Sequence, residues 1–260
     1  GYGIDKSIYG NNATFMNASV NFTNSKFGES MQFDQIKQTS IIIDDSDSLS
    51  MGDQDFTLAA WVNAYTKDDA ADLNILNKGD TDSTDREWDL MLTPIGGETV
   101  FHFGVYDPDN TRTSLNALSF GPVPLNEWHF VAAWHDETAS TINIQIDGGA
   151  IDSASYTNNV REGTSKVRIG ALPASSPNQG WNGTIDEVQI WNRSLSNDER
   201  VELAGAKVLD YSGFGNNGTR RNRGGLGNGT NFTASGKFGY ALEFDGVDDY
   251  VNISDDDSLS

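Results

Sequence analysis

The sequence contains no cysteine and few basic residues. Its 260 residues include 17 Lys and Arg against 38 Asp and Glu, which gives a net charge of −21. The lack of cysteine excludes a disulfide framework, a thiolate zinc site, an iron–sulfur cluster and a cysteine nucleophile. The shortage of Lys and Arg argues against nucleic-acid binding and against docking on an anionic membrane, because phosphate contacts need clustered basic side chains.

Long apolar runs are also missing. No run approaches the roughly 20 residues of a membrane-spanning helix, so we expect no direct membrane insertion of this segment. The chain starts at Gly1 with no initiator Met and no apolar signal-like stretch. We therefore expect a processed form or a fragment whose targeting segment has been removed.

Short segments in which apolar and polar residues alternate are frequent, and this pattern predicts half-buried antiparallel strands. They are residues 40–43, 56–62, 100–105, 128–134, 141–146, 166–170 and 185–191. Turn sequences such as Asp147-Gly-Gly149 and Gly96-Gly97 separate them. Ser196, followed by Glu199, predicts the capping box of one short helix. The predicted fold class is all-β, a two-sheet sandwich or jelly roll.

The two ends of the chain resemble each other. The matching segments are 5–14 with 210–219, 21–34 with 231–245, and 47–50 with 257–260. A repeat of this length indicates whole domains in tandem. We therefore predict one complete domain over residues 1–206 and the opening strands of a second over residues 207–260.

The second segment has two interpretations. A few strands alone are marginally stable in water, so residues 207–260 need something to pack against. They are either the start of the next domain in a longer array, or a donated segment that completes a neighbouring copy in a head-to-tail fibre.

The motifs together resemble one family. Six segments are similar to the strands of the laminin G-like (LamG, concanavalin A-like lectin/glucanase) jelly roll. From the opening to the closing strands of a domain, they are residues 239–251, 56–62, 127–133, 144–148, 168–171 and 183–196. The resemblance implies a non-catalytic extracellular module for adhesion or carbohydrate recognition. The first copy departs from the pattern, because residues 33–40 replace the Phe-Asp-Gly-Val-Asp-Asp-Tyr of the second copy.

Concanavalin A-like folds also include glycoside hydrolases, which makes catalysis a third hypothesis. Retaining hydrolysis needs two carboxylates about 5 Å apart. Glu87 and Asp89 are the nearest match, although solvated loop carboxylates are the simpler interpretation. No Ser-His-Asp signature, phosphate-binding loop or HExxH motif is found. We therefore predict no enzyme activity.

Carboxylate oxygens are typical calcium ligands, and the sequence has many of them. Calcium is therefore the metal that we expect, with a structural role. By the family resemblance, Asp186 would be a ligand together with the region of Asp5. A second candidate is the acidic loop that contains Asp80, Asp82 and Asp85, although it lacks the glycine and the distal glutamate of an EF-hand loop. A solvated acidic loop is the alternative at both places.

Carbohydrate binding would need an aromatic platform and polar groups on rim loops. The candidate residues are Trp88, Tyr106, Asn110, Gln179 and Trp181. The other tryptophans of the predicted strands, Trp61, Trp128, Trp134 and Trp191, are expected in the core.

Sequons for N-glycosylation are numerous. They lie at Asn12, Asn17, Asn21, Asn182, Asn192, Asn217, Asn228, Asn231 and Asn252. These sequons, together with the net charge of −21, predict a secreted or cell-surface glycoprotein. Its expected partners are glycans or cell-surface components, and the alternative function is a structural filament or surface-layer subunit whose partners are copies of itself.

Overall fold

The computed structural model describes residues 2–17, 30–67, 71–79, 85–172 and 179–205, and then 207–208, 218–222, 225–226, 231–236, 239–244 and 250–253. The chain forms two compact units, Gly1–Leu195 and Ser196–Ser260. We call them unit 1 and unit 2. The boundary expected from the repeat, at residue 206, falls inside unit 2.

Unit 1 contains two antiparallel sheets, as the alternating patterns predict. The first has eight strands, whose spatial order is β1 (Tyr2–Gly3), β2 (Ala13–Met16), β4 (Ser40–Ile43), β13 (Val167–Ile169), β6 (Leu73–Lys78), β7 (Trp88–Ile95), β8 (Glu98–Tyr106) and β9 (Arg112–Asn116). The second has six, in the order β12 (Ile151–Ser155), β11 (Thr141–Ile146), β10 (Trp128–Asp136), β5 (Phe56–Ala64), β14 (Gly183–Trp191) and β3 (Met31–Phe33). This confirms the predicted jelly-roll sandwich.

The core lies between the sheets, and every second residue of the central strands contributes to it. Phe56, Leu58 and Val62 of β5 face Leu90 and Leu92 of β7, and none of the five is more than 1% exposed. Burying an apolar side chain of this size stabilises the fold by about 1.5–3 kcal/mol. The alternating apolar residues in the sequence are therefore the residues on the inner face of each strand.

Of the four tryptophans expected in the core, two are buried and two are half-buried. Trp61 and Trp134 are buried, at 5% exposure each, but their strand positions alternate with those of the core residues. They therefore lie on the opposite face of the six-stranded sheet, where the rings of Trp61 and Phe130 are 5.6 Å apart. Trp128 and Trp191 are only half-buried.

Two predicted turns have the backbone that a tight hairpin requires. Gly96 and Gly97, between β7 and β8, have φ angles of +62° and +88°. Asp147 and Gly148, after β11, have φ angles of +53° and +67°. Two consecutive positive φ values fit the type I′ turn, whose twist matches that of the flanking strands.

Unit 2 begins with helix α1 (Asn197–Leu203), and the predicted capping box is present. Ser196 Oγ accepts a hydrogen bond from the Glu199 backbone N–H, and the Glu199 carboxylate accepts one from the Ser196 N–H. The strands of unit 2 are β15 (Lys207–Val208), β16 (Gly218–Asn222), β17 (Gly225–Leu226) and β20 (Tyr250–Ile253), with a separate hairpin of β18 (Asn231–Gly236) and β19 (Gly239–Glu243).

The strand pairing of unit 2 has the same register as the opening strands of unit 1. Tyr2 pairs with Thr14 and Ala13 with Ile43 in unit 1. The matching positions of unit 2 pair in the same way, Lys207 with Thr219 and Gly218 with Ile253. The sheet β15–β16–β20 therefore corresponds to β1–β2–β4, strand for strand.

Candidate functional site

A polar cavity of about 160 Å³ lies on the eight-stranded sheet. Asp89 and Met91 of β7 contribute to it, and they alternate with the core residues Leu90 and Leu92, so the cavity is on the outer face of the sheet. Pockets for drug-sized ligands measure about 300–1,000 Å³, so this one suits a single small ring. Its lining consists of Asp72, Asn74, Asn77, Lys78, Gly79, Arg86, Trp88, Asp89, Met91, Tyr106, Arg112, Leu172 and Gln179.

An ion pair between β7 and β9, the strands on either side of β8, forms one wall of the cavity. Arg112 Nη2 of β9 donates to Asp89 Oδ1 of β7 at 2.5 Å, and the Tyr106 hydroxyl donates to Asp89 Oδ2 at 3.0 Å. Burial alone would lower the pKa of Arg112, but the Asp89 carboxylate raises it above the ordinary value. Burial, and then Asp89, raise the pKa of Tyr106, which therefore stays a neutral hydrogen-bond donor.

Two arginines and a glycine complete this wall. The guanidinium carbons of Arg86 and Arg112 lie 5.7 Å and 5.8 Å from the centre of the Tyr106 ring, within the range of cation–π attraction. Gly104 of β8 lies beneath the ion pair. A Cβ there would be 2.4 Å from Arg112 Nε and 2.5 Å from Asp89 Oδ1, so the pair can occupy this position only because residue 104 is glycine.

Several lining residues have a buried polar atom without a protein partner. Asn74 and Asn77 of β6 donate through Nδ2 to the backbone carbonyls of Gln179 and Ala171, which leaves each Oδ1 without a hydrogen bond. The Trp88 Nε1–H and the Arg112 Nε–H are also unpaired. Because buried polar atoms are nearly always hydrogen-bonded, these two acceptors and two donors point to further partners, either ordered water or a ligand group.

The Glu87 and Asp89 carboxylates are each held by cations. Lys78 Nζ donates to Glu87 Oε1 at 2.6 Å, to the Gly163 carbonyl at 2.7 Å and to Asp45 Oδ1 at 2.7 Å. The Lys78 and Glu87 side chains are both 0% exposed, and burial raises the pKa of Glu87. Glu87 is therefore a structural group at the base of β7, and Asp89 is bound by Arg112 and Tyr106.

The structure brings three of the five predicted carbohydrate-binding residues to this cavity, Trp88, Tyr106 and Gln179. Asn110 lies in the turn after β8, where its backbone N–H donates to the Asp107 carbonyl at 2.8 Å. Trp88 and Trp181 are each 1% exposed and pack in the core, which leaves neither of them a ring face for a sugar. Asn74, Asn77, Arg86 and Arg112 could not be assigned to the site from the sequence, because their meeting depends on how β6, β7, β8 and β9 are paired.

The predicted calcium ligands that the structure describes accept hydrogen bonds from other groups. Asp5 accepts hydrogen bonds from Ser7 and from the Asn11 backbone, and Asp85 accepts them from Thr164 and Ser165. Asp186 is buried and accepts from the Glu187 N–H at 2.9 Å. Asp80 and Asp82 lie outside the described residues. Within the part of the chain that the structure describes, no three or more carboxylate, imidazole or thiol groups cluster, and calcium binding stays a prediction.

The sequon asparagines differ in exposure. Asn12, Asn17, Asn192 and Asn252 are exposed, and Asn182 is half-buried. Asn231 lies in β18. Asn21, Asn217 and Asn228 lie outside the described residues.

Comparison with known families identifies the class of protein. Residues 37–199 match the family model of the concanavalin A-like lectin/glucanases superfamily. The chain therefore belongs to that superfamily, as the resemblance of its motifs implied. No curated protein sequence matches it. No described helix has the length and apolar character to cross a membrane.

Solved structures with the same fold include binding domains. The chain is similar to the binding domain of Paraclostridial Mosquitocidal Protein 1 (TM-score 0.60, 16% identity, 94% of this chain and 62% of that one). It is also similar to the botulinum neurotoxin serotype G binding domain (TM-score 0.60, 16% identity, 96% and 62%). A third is domain 4 of AbnA, a GH43 extracellular arabinanase from Geobacillus stearothermophilus, in complex with arabinotriose (TM-score 0.51, 16% identity, 78% and 87%). The chain thus spans under two thirds of the first two, and the likeness is one of fold.

Proposed function

We propose that the protein is a non-catalytic extracellular module that binds carbohydrate in the cavity of β6, β7, β8 and β9, and so acts in adhesion or glycan recognition. The observation that carries this proposal is the set of unpaired donors and acceptors among the lining residues. Each hydroxyl of a sugar both donates and accepts a hydrogen bond, so a sugar ring can satisfy both kinds of group. The arabinotriose complex of a domain with the same fold supports the same ligand class.

The surroundings of the two candidate carboxylates support a non-catalytic role. A glycosidase needs one carboxylic acid that can give a proton and one free carboxylate. Glu87 is closed off from solvent with Lys78, and Asp89 is committed to Arg112 and Tyr106. The proposed role is therefore recognition.

Two tyrosines provide a matched test. Tyr106 and Tyr156 are both buried, at 5% and 3% exposure, and each hydroxyl donates one hydrogen bond, to Asp89 and to the Asn159 carbonyl. Only Tyr106 lines the cavity. A glycan array with the full chain identifies a ligand, and titration calorimetry then compares Y106F with Y156F.

We expect Y106F to weaken glycan binding about threefold to tenfold, because phenylalanine lacks the hydroxyl that orients Asp89 at the cavity wall. Y156F is expected to bind as the unchanged protein does. No binding to any glycan, or equal affinities for the two variants, would refute the proposed site.

Exposure on a cell surface is part of the proposal, and the sequons support it. Four sequon asparagines present exposed side chains, Asn12, Asn17, Asn192 and Asn252. Glycopeptide mass spectrometry of the protein from its own source is expected to find glycans at these positions. Unmodified peptides at all four would contradict the glycoprotein assignment.

The second candidate function is a structural subunit of a filament assembled by strand exchange between copies. The observation that favours it is the shared register of β15–β16–β20 and β1–β2–β4. Electron micrographs of the concentrated protein should then show fibres with a fixed repeat. A monomer at every concentration would rule this candidate out.

A further inference from the structure

A second cavity of unit 1 has a volume of about 370 Å³ and shares no lining residue with the cavity on the eight-stranded sheet. Pockets of at least about 300 Å³ hold drug-sized ligands, so this one has room for a sugar ring. Three segments that are distant in the chain meet around it: the loop between β1 and β2, the loop between β4 and β5, and the bend after β14. We call it the Tyr9 cavity. Its polar lining residues are Tyr9, Asp47, Ser48, Ser50, Gln54 and Asn192.

The sequon Asn192-Arg-Ser194 begins at the rim of the Tyr9 cavity. The Asn192 side chain is exposed, and its Nδ2 atom donates to Tyr9 Oη at 3.4 Å. N-linked glycans are attached to this side-chain nitrogen. The first sugar of a glycan on Asn192 would therefore start within reach of Tyr9.

Tyr9 has the properties of a platform for a sugar. It is 54% exposed, although it is a large aromatic residue. Its ring offers an apolar face, and its hydroxyl offers a polar tip. The exposed side chains of Asp47 and Gln54 lie at the same cavity and provide hydrogen-bond acceptors and a donor for sugar hydroxyls. The Tyr9 cavity thus combines the apolar and polar contacts that suit a sugar ring.

The loop that carries Tyr9 is held in place by its own hydrogen bonds. The Asp5 carboxylate accepts from the backbone N–H and the hydroxyl of Ser7 and from the backbone N–H of Asn11. Asn11 also joins this loop to the loop between β4 and β5, because its Nδ2 donates to Ser48 Oγ at 2.9 Å. A rigid platform loses little entropy when a ligand packs on it, so contacts with Tyr9 should stabilise the fold.

We infer that Asn192 is a glycosylation site whose first sugar packs in the Tyr9 cavity and joins the end of β14 to the loop between β1 and β2. The inference rests on the proposed glycoprotein character and goes beyond it, because it selects one sequon and gives its glycan a structural role. Asn192 and Tyr9 are 183 residues apart in the chain, so the glycan would fix a long-range contact of unit 1. Asn17 is also an exposed sequon residue but does not line the cavity, which makes it the matched control.

The first experiment compares thermal stability. The full chain is produced in a eukaryotic secretion host and trimmed with an endoglycosidase that leaves one sugar on each modified asparagine. N192Q, which removes the sequon and keeps an amide, should lower the Tm of unit 1 by about 2–4 °C, whereas N17Q should leave it unchanged. The same variants made in bacteria carry no glycan, and there N192Q should leave Tm unchanged as well.

The second experiment tests whether Tyr9 is the contact. Y9A should abolish the effect of N192Q on Tm, and Y9F, which keeps the ring, should preserve it. Ile8 is 94% exposed and does not line the cavity, so I8A is the control for shortening a side chain of this loop and should preserve the effect. In the untrimmed chain, a peptide N-glycosidase should release the glycan of Asn192 about fivefold faster from Y9A than from I8A, because docking shields the bond between asparagine and sugar.

Three results would overturn the inference. They are the absence of a glycan at Asn192, equal changes of Tm in N192Q and N17Q, and an effect of N192Q that persists in Y9A. The host attaches glycans whatever the natural source does. A failure of docking is therefore distinguishable from a failure of the glycoprotein proposal, which glycopeptide analysis of the protein from its own source tests.

Discussion

Replacing Lys78 tests whether the buried ion pair holds unit 1 together. The ammonium connects the base of β7 to two loops, because it donates to Glu87, to Asp45 and to the Gly163 carbonyl. K78M keeps the apolar stem and removes the charge. Glu87 then remains 0% exposed, with only the backbone N–H groups of Gly163 and Met51 as donors.

The expected cost is large because a buried charge loses its partner. Breaking a buried pair from one side costs about 3–5 kcal/mol. For a unit of this size, each kcal/mol lowers Tm by about 2–4 °C, so K78M should lower Tm by about 6–20 °C. Thermal unfolding followed by circular dichroism measures the change. The matched control is K166M, whose ion pair with Asp44 is 52% and 83% exposed and should contribute less than about 1 kcal/mol.

The pH dependence supplies a second readout. Burial already raises the pKa of Glu87, and losing Lys78 raises it further. The folded variant therefore binds a proton that the unfolded chain releases near pH 4.3, so its stability falls as the pH rises above that value toward the folded pKa. The deficit of K78M should be small at acid pH and complete at neutral pH. K78M/E87Q should recover part of the lost Tm and lose this pH dependence.

The result that would refute this reasoning is a K78M variant no less stable than K166M at neutral pH. In that case the Lys78 ammonium would not be desolvated, and the pair would behave as a surface ion pair. A deficit that stays constant with pH would separately show that Glu87 is not the group left unpaired.

Three further predictions follow from close contacts. G170A should destabilise unit 1 by about 2 kcal/mol or more in urea unfolding, because residue 170 has a φ of +83° and its Cβ would clash with Phe33. The control is G121A, which has a φ of +86° and open space around it and should therefore destabilise unit 1 less. Equal losses of stability in the two variants would contradict the clash. G104A should weaken glycan binding in titration calorimetry by displacing the pair of Arg112 and Asp89, and unchanged affinity would exclude that pair from the site. If the predicted structural calcium is bound, a chelator should lower Tm, and an unchanged Tm would contradict the calcium prediction.

Much of the fold could be read from short-range patterns. The alternation in residues 56–62 and 128–134 became the central pair β5 and β10, and the Gly96-Gly97 dipeptide became a tight hairpin. Ser196 and Glu199 formed their capping box. These features depend on neighbours in the chain, so local residue chemistry is sufficient to specify them.

The site was only partly predictable, because its residues are distant in the chain. Tyr106 and Gln179 were identified from the sequence as polar or aromatic residues at strand ends. Arg112 was not, because its contact with Asp89 depends on the pairing of β7 with β8 and of Val105 with Thr113. For the same reason the sequence did not show that Trp61 lies on the outer face of the six-stranded sheet. The residues around it correctly indicated a buried strand.

The sequence by itself determined that this is an acidic all-β chain whose end resembles its beginning, because composition, alternation and repetition need no knowledge of distant contacts. Only the tertiary structure decided that the Glu87 and Asp89 carboxylates are each held by a cation, and that four unpaired polar atoms belong to residues around one cavity. The physical reason is that pairing between strands brings together residues that are far apart in the chain, and both charge neutralisation and hydrogen-bond satisfaction depend on that meeting.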